Sequence, residues 1–116
     1  MKSFHSSLLR PAAERLSGYL ARVAVAPPMI PVVHNVDARP AGDATAIRAA
    51  LAKQAASPVR WVETVHAFVA GGVTHVVECG PGQVLTGLCK RIAPDLNAMP
   101  LNDAAAIEAA LEATRA

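Results

Sequence analysis

The sequence predicts an α/β fold, and three observations carry that reading. Apolar residues recur at helical spacing in several separate stretches, as at Leu9, Ala13, Leu16, Leu20 and Val23. β-Branched residues gather in short runs bounded by glycine and proline, as at Val73, Val76 and Val77. The two patterns mostly alternate, and no internal repeat interrupts them. The clearest passage is residues 74–92, THVVECGPGQVLTGLCKRI, which reads as strand, tight turn and helix. Its strand is apolar on both faces, as in a parallel sheet covered by helices on both sides. Loops at the carboxyl ends of such strands are where open α/β sheets place their chemistry.

Taken in order, Ser6 and Ser7 are candidate caps and Pro11 suits the first turn of a helix running from about Arg10 to Val23. Pro27 and Pro28 end it and lead into a strand over residues 29–36, with Ile30, Val32 and Val33, and Pro31 near its beginning. Asn35, Asp37, Pro40 and Gly42 mark a loop. Asp43 caps a second helix with Ile47, Ala50, Leu51 and Gln54 on one side. Ser57-Pro58 reads as an N-cap followed by proline at the first helical position. That third helix buries Val62, Val65 and Val69 with Trp61 and Phe68, and Gly71-Gly72 closes it.

After the Gly80-Pro81-Gly82 turn, Val84, Leu85, Leu88 and Ile92 form a helical stripe, with Lys90 and Arg91 complementing the dipole of the last turn. Gly87 is expected to let this helix pack closely on the sheet. Pro94 breaks the helix, residues 98–101 suit a short strand, and Asp103 caps a last helix through Ile107 and Leu111. About three strands with flanking helices leave two sheet edges to protect. The chain therefore reads as the last part of a larger sheet.

Composition narrows the function classes. The chain has 116 residues, enough for one small domain or part of a larger one. It is 53% hydrophobic and only 17% charged, so the polar surface is thin for so short a chain. A net charge of +2, from scattered Lys and Arg, argues against a nucleic-acid partner. No apolar run approaches the roughly 20 residues that span a bilayer, and the start lacks the apolar core of a signal peptide. Cys79 and Cys89 do not form a CxxC pair and are expected to be two buried thiols in a reducing, cytoplasmic compartment.

None of the four histidines (His5, His34, His66, His75) is spaced with a second His, Cys or carboxylate as a metal site requires, so no metal is expected. His5 stands apart, between Phe4 and a Ser6-Ser7 pair just before a helix, a setting in which an imidazole can be oriented and still take a proton. Gly80-Pro81-Gly82 matches neither GxGxxG nor a P-loop, so it is a tight turn before it is a phosphate site. Glu78 has no second acid to split pKa values with. It is expected to accept hydrogen bonds from backbone or an arginine.

Five segments in this order carry a resemblance. They are His5-Ser6-Ser7-Leu8-Leu9-Arg10-Pro11-Ala12-Ala13; Ile30-Pro31-Val32-Val33 with Asn35-Val36; Gln54 followed by Ser57-Pro58-Val59-Arg60-Trp61; Glu78-Cys79-Gly80-Pro81-Gly82-Gln83-Val84-Leu85-Thr86-Gly87-Leu88; and Leu101-Asn102. Together they resemble the C-terminal third of the malonyl-CoA:acyl carrier protein transacylase family. The resemblance implies the C-terminal part of an α/β-hydrolase-like large subdomain across residues 1–116, without that family's serine-elbow part or its ferredoxin-like insert. It implies ping-pong acyl transfer, with malonyl-CoA and acyl carrier protein as partners and no cofactor beyond these substrates. By the same resemblance His5 is the base, the backbone carbonyl of Gln54 orients its ring, and Phe4 and Val84 face the acyl group.

One departure matters: no Gly-x-Ser-x-Gly occurs in the chain. The expectation is therefore a truncated or split reading of the gene, inactive alone, that pairs with the missing N-terminal part or with itself. Two alternatives stand beside it. One is a non-enzymatic remnant or interaction module of the same fold; the other is a small nucleotide- or thiol-binding α/β protein.

Overall fold

The computed structural model describes residues 6–115. His5 and Phe4, expected as base and acyl-facing residue, lie outside the described residues. The described chain is α/β, with five α-helices and four short strands, and divides into two compact units that meet in sequence between Thr64 and Val65.

In the first unit a 3-10 turn, Ser7–Leu9, runs into α1 (Arg10–Leu20). Ser6 has the extended backbone of an N-cap, but its side chain makes no capping bond. Pro11 stands in the first helical turn as expected. The helix stops three residues short of Val23 because its end tightens: Arg22 and Val23 donate three residues back, to Tyr19 and Leu20. Leu9, Ala13 and Leu20 are half-buried at helical spacing, and α1 packs against α2 (Ala44–Ala55). The Arg48 guanidinium of α2 donates to the Val23 carbonyl at 2.7 Å and ties the end of α1 down.

The strand expected over residues 29–36 shrinks to β1 (Val33–His34). Pro31 cannot donate to a ladder, and Met29, Ile30 and Val32 are exposed. The loop expected after it contains β2 (Arg39–Pro40), antiparallel to β1. Ala38 at φ 56 and the Asp37 carboxylate, which accepts the Arg39 amide, close the turn between them. His34 and Val36 are buried there. Asp43 caps α2 through the Ala46 amide at 2.8 Å, as its sequence position predicts.

The third helix, α3 (Trp61–Ala70), begins later than the Ser57-Pro58 signal suggested. The Ser57 hydroxyl is taken by the Lys53 carbonyl of α2, and Arg60 receives the first helical bond from the Thr64 amide. The buried face is Thr64 and Val65, with Trp61 and Phe68 half-buried. Val62 and Val69 are exposed, at 53% and 47%.

The second unit is a β-α-β core. α3 closes in a Schellman turn: the Val73 amide reaches the Phe68 carbonyl, the Gly72 amide reaches Val69, and Gly72 takes φ +86. β3 (His75–Glu78) and β4 (Asn97–Pro100) pair in parallel, with α4 (Val84–Ile92) as the crossover and α5 (Ala104–Thr114) following. The Asp103 carboxylate caps α5 through the Ala106 amide. Thr86, Cys89, Leu96, Ala98 and Ala110 are buried.

Two expectations fail in this unit. A Cβ on Gly87 would meet nothing within 4 Å, so this glycine is not a close-packing device here. Cys79 is exposed because it has left the strand and entered the turn, whereas Cys89 is buried on α4. Burial, and secondarily the Glu78 charge, pushes the Cys89 thiol above its ordinary pKa.

Candidate functional site

The expected site residues that are described fall at two element ends. Gln54 closes the first unit's α2, and Val84 opens the second unit's α4.

At the α2 end, the last carbonyls have no partner further along the helix. The chain supplies partners by turning back. The Ala56 amide donates to the Lys53 and Gln54 carbonyls, the Ser57 amide to Gln54 at 3.3 Å, and the Ser57 hydroxyl to Lys53 at 2.6 Å. Gln54 is half-buried. A carbonyl at a helix C-terminus carries the negative end of the dipole, which suits it to accept from an imidazole N–H.

At the α4 start, Gln83 occupies the N-cap but makes no side-chain capping bond. Glu78 caps the helix instead, from the end of β3. Its carboxylate accepts the Thr86 amide at 2.9 Å, the Thr86 hydroxyl at 2.8 Å and the Leu85 amide at 3.2 Å. The Thr86 amide and hydroxyl, then the Leu85 amide, hold this carboxyl below the ordinary range. The accepting role matches expectation, and its target is the start of α4. The usable signal was a helix beginning after Gln83, a residue without the short oxygen side chain of a good N-cap. Between them lies the loop with Gly80 at φ +136 and Gly82 at φ +90, conformations that favour glycine. Val84 emerges from it 73% exposed.

This arrangement weighs against the nucleotide-binding alternative. A phosphate seeks the free amides and positive dipole of a helix N-terminus. Here a carboxylate already holds two of those amides. Among the described residues no three His, Cys, Asp or Glu side chains gather as metal ligands would. No helix among them is long and apolar enough to cross a membrane.

No protein-family model matches the chain. The malonyl CoA-acyl carrier protein transacylase of Salmonella typhimurium is 49% identical over 107 residues, 92% of this chain and 35% of its own length. The crystal structure of an acyl-carrier-protein S-malonyltransferase from Burkholderia pseudomallei superposes with a TM-score of 0.90 at 52% identity, over 94% of this chain and 36% of that one. The chain is similar to the C-terminal portion of malonyl-CoA:acyl carrier protein transacylases. A third relative is a malonyl-transacylase solved with its type II polyketide acyl-carrier protein, at 45% identity and a TM-score of 0.91, over 95% of this chain and 36% of that one. The chain thus spans about a third of the length of the transacylases it matches.

Proposed function

We propose that this chain is the base-carrying part of a malonyltransferase, which moves malonyl from malonyl-CoA to the phosphopantetheine thiol of acyl carrier protein in cytoplasmic fatty acid biosynthesis. The observation that carries the reading is 49% identity to a transacylase over 92% of the chain. In this reading the chain is the C-terminal part of an α/β-hydrolase-like subdomain. The nucleophilic serine comes from a Gly-x-Ser-x-Gly segment that the 116 residues do not contain.

The chemistry assigned to this chain is proton transfer. His5 takes the serine Oγ proton through Nε2 as Oγ bonds to the thioester carbon, and returns it to the departing CoA sulfur. In the second half, His5 takes the proton of the pantetheine thiol while its sulfur attacks the acyl-serine, and hands that proton back to Oγ. The Gln54 carbonyl accepts the Nδ1 proton throughout and so holds Nε2 available. A carbonyl stabilises the imidazolium less than a carboxylate would. Phe4 and Val84 line the acyl group. The reaction needs its two substrates and no further cofactor.

The test is intact mass spectrometry. Incubated alone with malonyl-CoA, the chain gains no malonyl group and loads no acyl carrier protein. With the remaining portion of the Burkholderia relative added as a separate polypeptide, carrier loading is expected to return. Loading that never returns would favour a non-enzymatic remnant, and malonylation of the isolated chain would demand another nucleophile.

A further inference from the structure

We infer that Ser57 is a positioning residue, the clamp that aims the Gln54 carbonyl; the inference rests on the proposed pairing of that carbonyl with His5. One residue engages two successive carbonyls of the last turn of α2: its hydroxyl donates to Lys53 at 2.6 Å and its amide to Gln54 at 3.3 Å. The hydroxyl bond is the shorter and fixes the peptide plane immediately before that of Gln54. The direction of the Gln54 carbonyl is then set from both sides, by the plane that precedes it and by the amide that reaches it.

The sequence around Ser57 keeps the clamp in place. Pro58 disfavours helical backbone at Ser57, so the chain leaves α2 rather than continuing it. The Arg60 amide, bonded to the Asn35 carbonyl at 3.0 Å, anchors the outgoing strand of chain. The Ser57 hydroxyl is thereby committed to the end of α2 and not to the start of α3, where its position before proline would have put it. Removing the hydroxyl leaves the Lys53 carbonyl to the longer Ala56 amide bond at 3.2 Å, and the last turn of α2 loses its shorter tether. An imidazole relying on the next carbonyl then loses its fixed tautomer.

Nitrogen-15 NMR of the His5 imidazole in the 116-residue chain tests this without any turnover. The parent is expected to show His5 in the Nδ1–H tautomer. Ser57→Ala is expected to lose that bias, moving toward the tautomer mixture of free imidazole, and Ser57→Thr to restore it. Asp43→Ala removes the cap at the other end of α2, and is expected to lower stability with the tautomer unchanged. Should Ser57→Ala fail to fold, Ser57→Cys, with its weaker donor, is expected to show a partial loss. An Nδ1–H tautomer unchanged in folded Ser57→Ala or Ser57→Cys would overturn the clamp, as would an equal loss in Asp43→Ala. A parent His5 without the Nδ1–H bias would instead overturn the pairing with Gln54 on which the clamp rests.

Discussion

Glu78 joins the end of a strand to the start of a helix through hydrogen bonds to the Leu85 amide and to the amide and hydroxyl of Thr86. Because these bonds favour the ionised form, its folded pKa lies below its unfolded one. The stability it contributes is complete above the ordinary carboxylate range and is lost as pH falls through the depressed folded value. Glu78→Gln is therefore expected to melt at lower temperature than the parent at neutral pH and to converge on it in acid. Thermal melts across pH check this, and a difference that persisted in acid would point to packing. At Phe4 the expectation concerns selectivity. On the proposed reading a ring next to the base would crowd an α-methyl group, and one methyl in a packed pocket is worth about 1–3 kcal/mol. Phe4→Ser, in an enzyme completed by the upstream portion of a relative, is expected to raise methylmalonyl transfer relative to malonyl. The ratio of the two rates measures it, and an unchanged ratio would place the selectivity elsewhere.

Helix ends separate what could be read in the sequence from what could not. Asp43 and Asp103 were legible as caps because a short carboxylate before an apolar stripe has few other uses, and both bond the amide three residues on. Gly71-Gly72 was legible for the same reason, since only glycine takes φ +86 without strain. Ser57 was misassigned because a serine before proline fits two helix ends at once. Local sequence cannot decide between them when only five residues separate the helix before from the helix after. The short β1–β2 ladder was hidden because Arg39–Pro40 has no strand propensity of its own. His5, expected as the base by resemblance, lies outside the described residues, while Gln54 stands in the last turn of α2 and Val84 opens α4. Gly72 and Gly87 make opposite predictions. Gly72→Ala forces an L-residue into a left-handed conformation and is expected to cost about 1–2 kcal/mol. Gly87→Ala meets open space within its helix and is expected to stabilise by about 0.5–1 kcal/mol. Urea unfolding of the two variants checks both signs.

At the scale of the molecule, several large apolar side chains stand in water. Leu8, Met29, Ile30, Tyr19 and Val84 are each more than 70% exposed. Concentration-dependent self-association is the expected consequence, read as a rising weight-average mass in sedimentation equilibrium; a monomer across the accessible range would contradict it. The proposal that this chain contributes the base of malonyl transfer is tested by completing the enzyme. Fuse the chain to the upstream two-thirds of the Burkholderia transacylase and measure malonyl transfer to acyl carrier protein for the parent, His5→Ala and Gln54→Ala. Transfer by His5→Ala is expected to fall by about 10²–10⁴-fold, the usual worth of a general base, and Gln54→Ala is expected to be mild because its backbone carbonyl remains. Full activity in His5→Ala, or equal losses in the two variants, would contradict it.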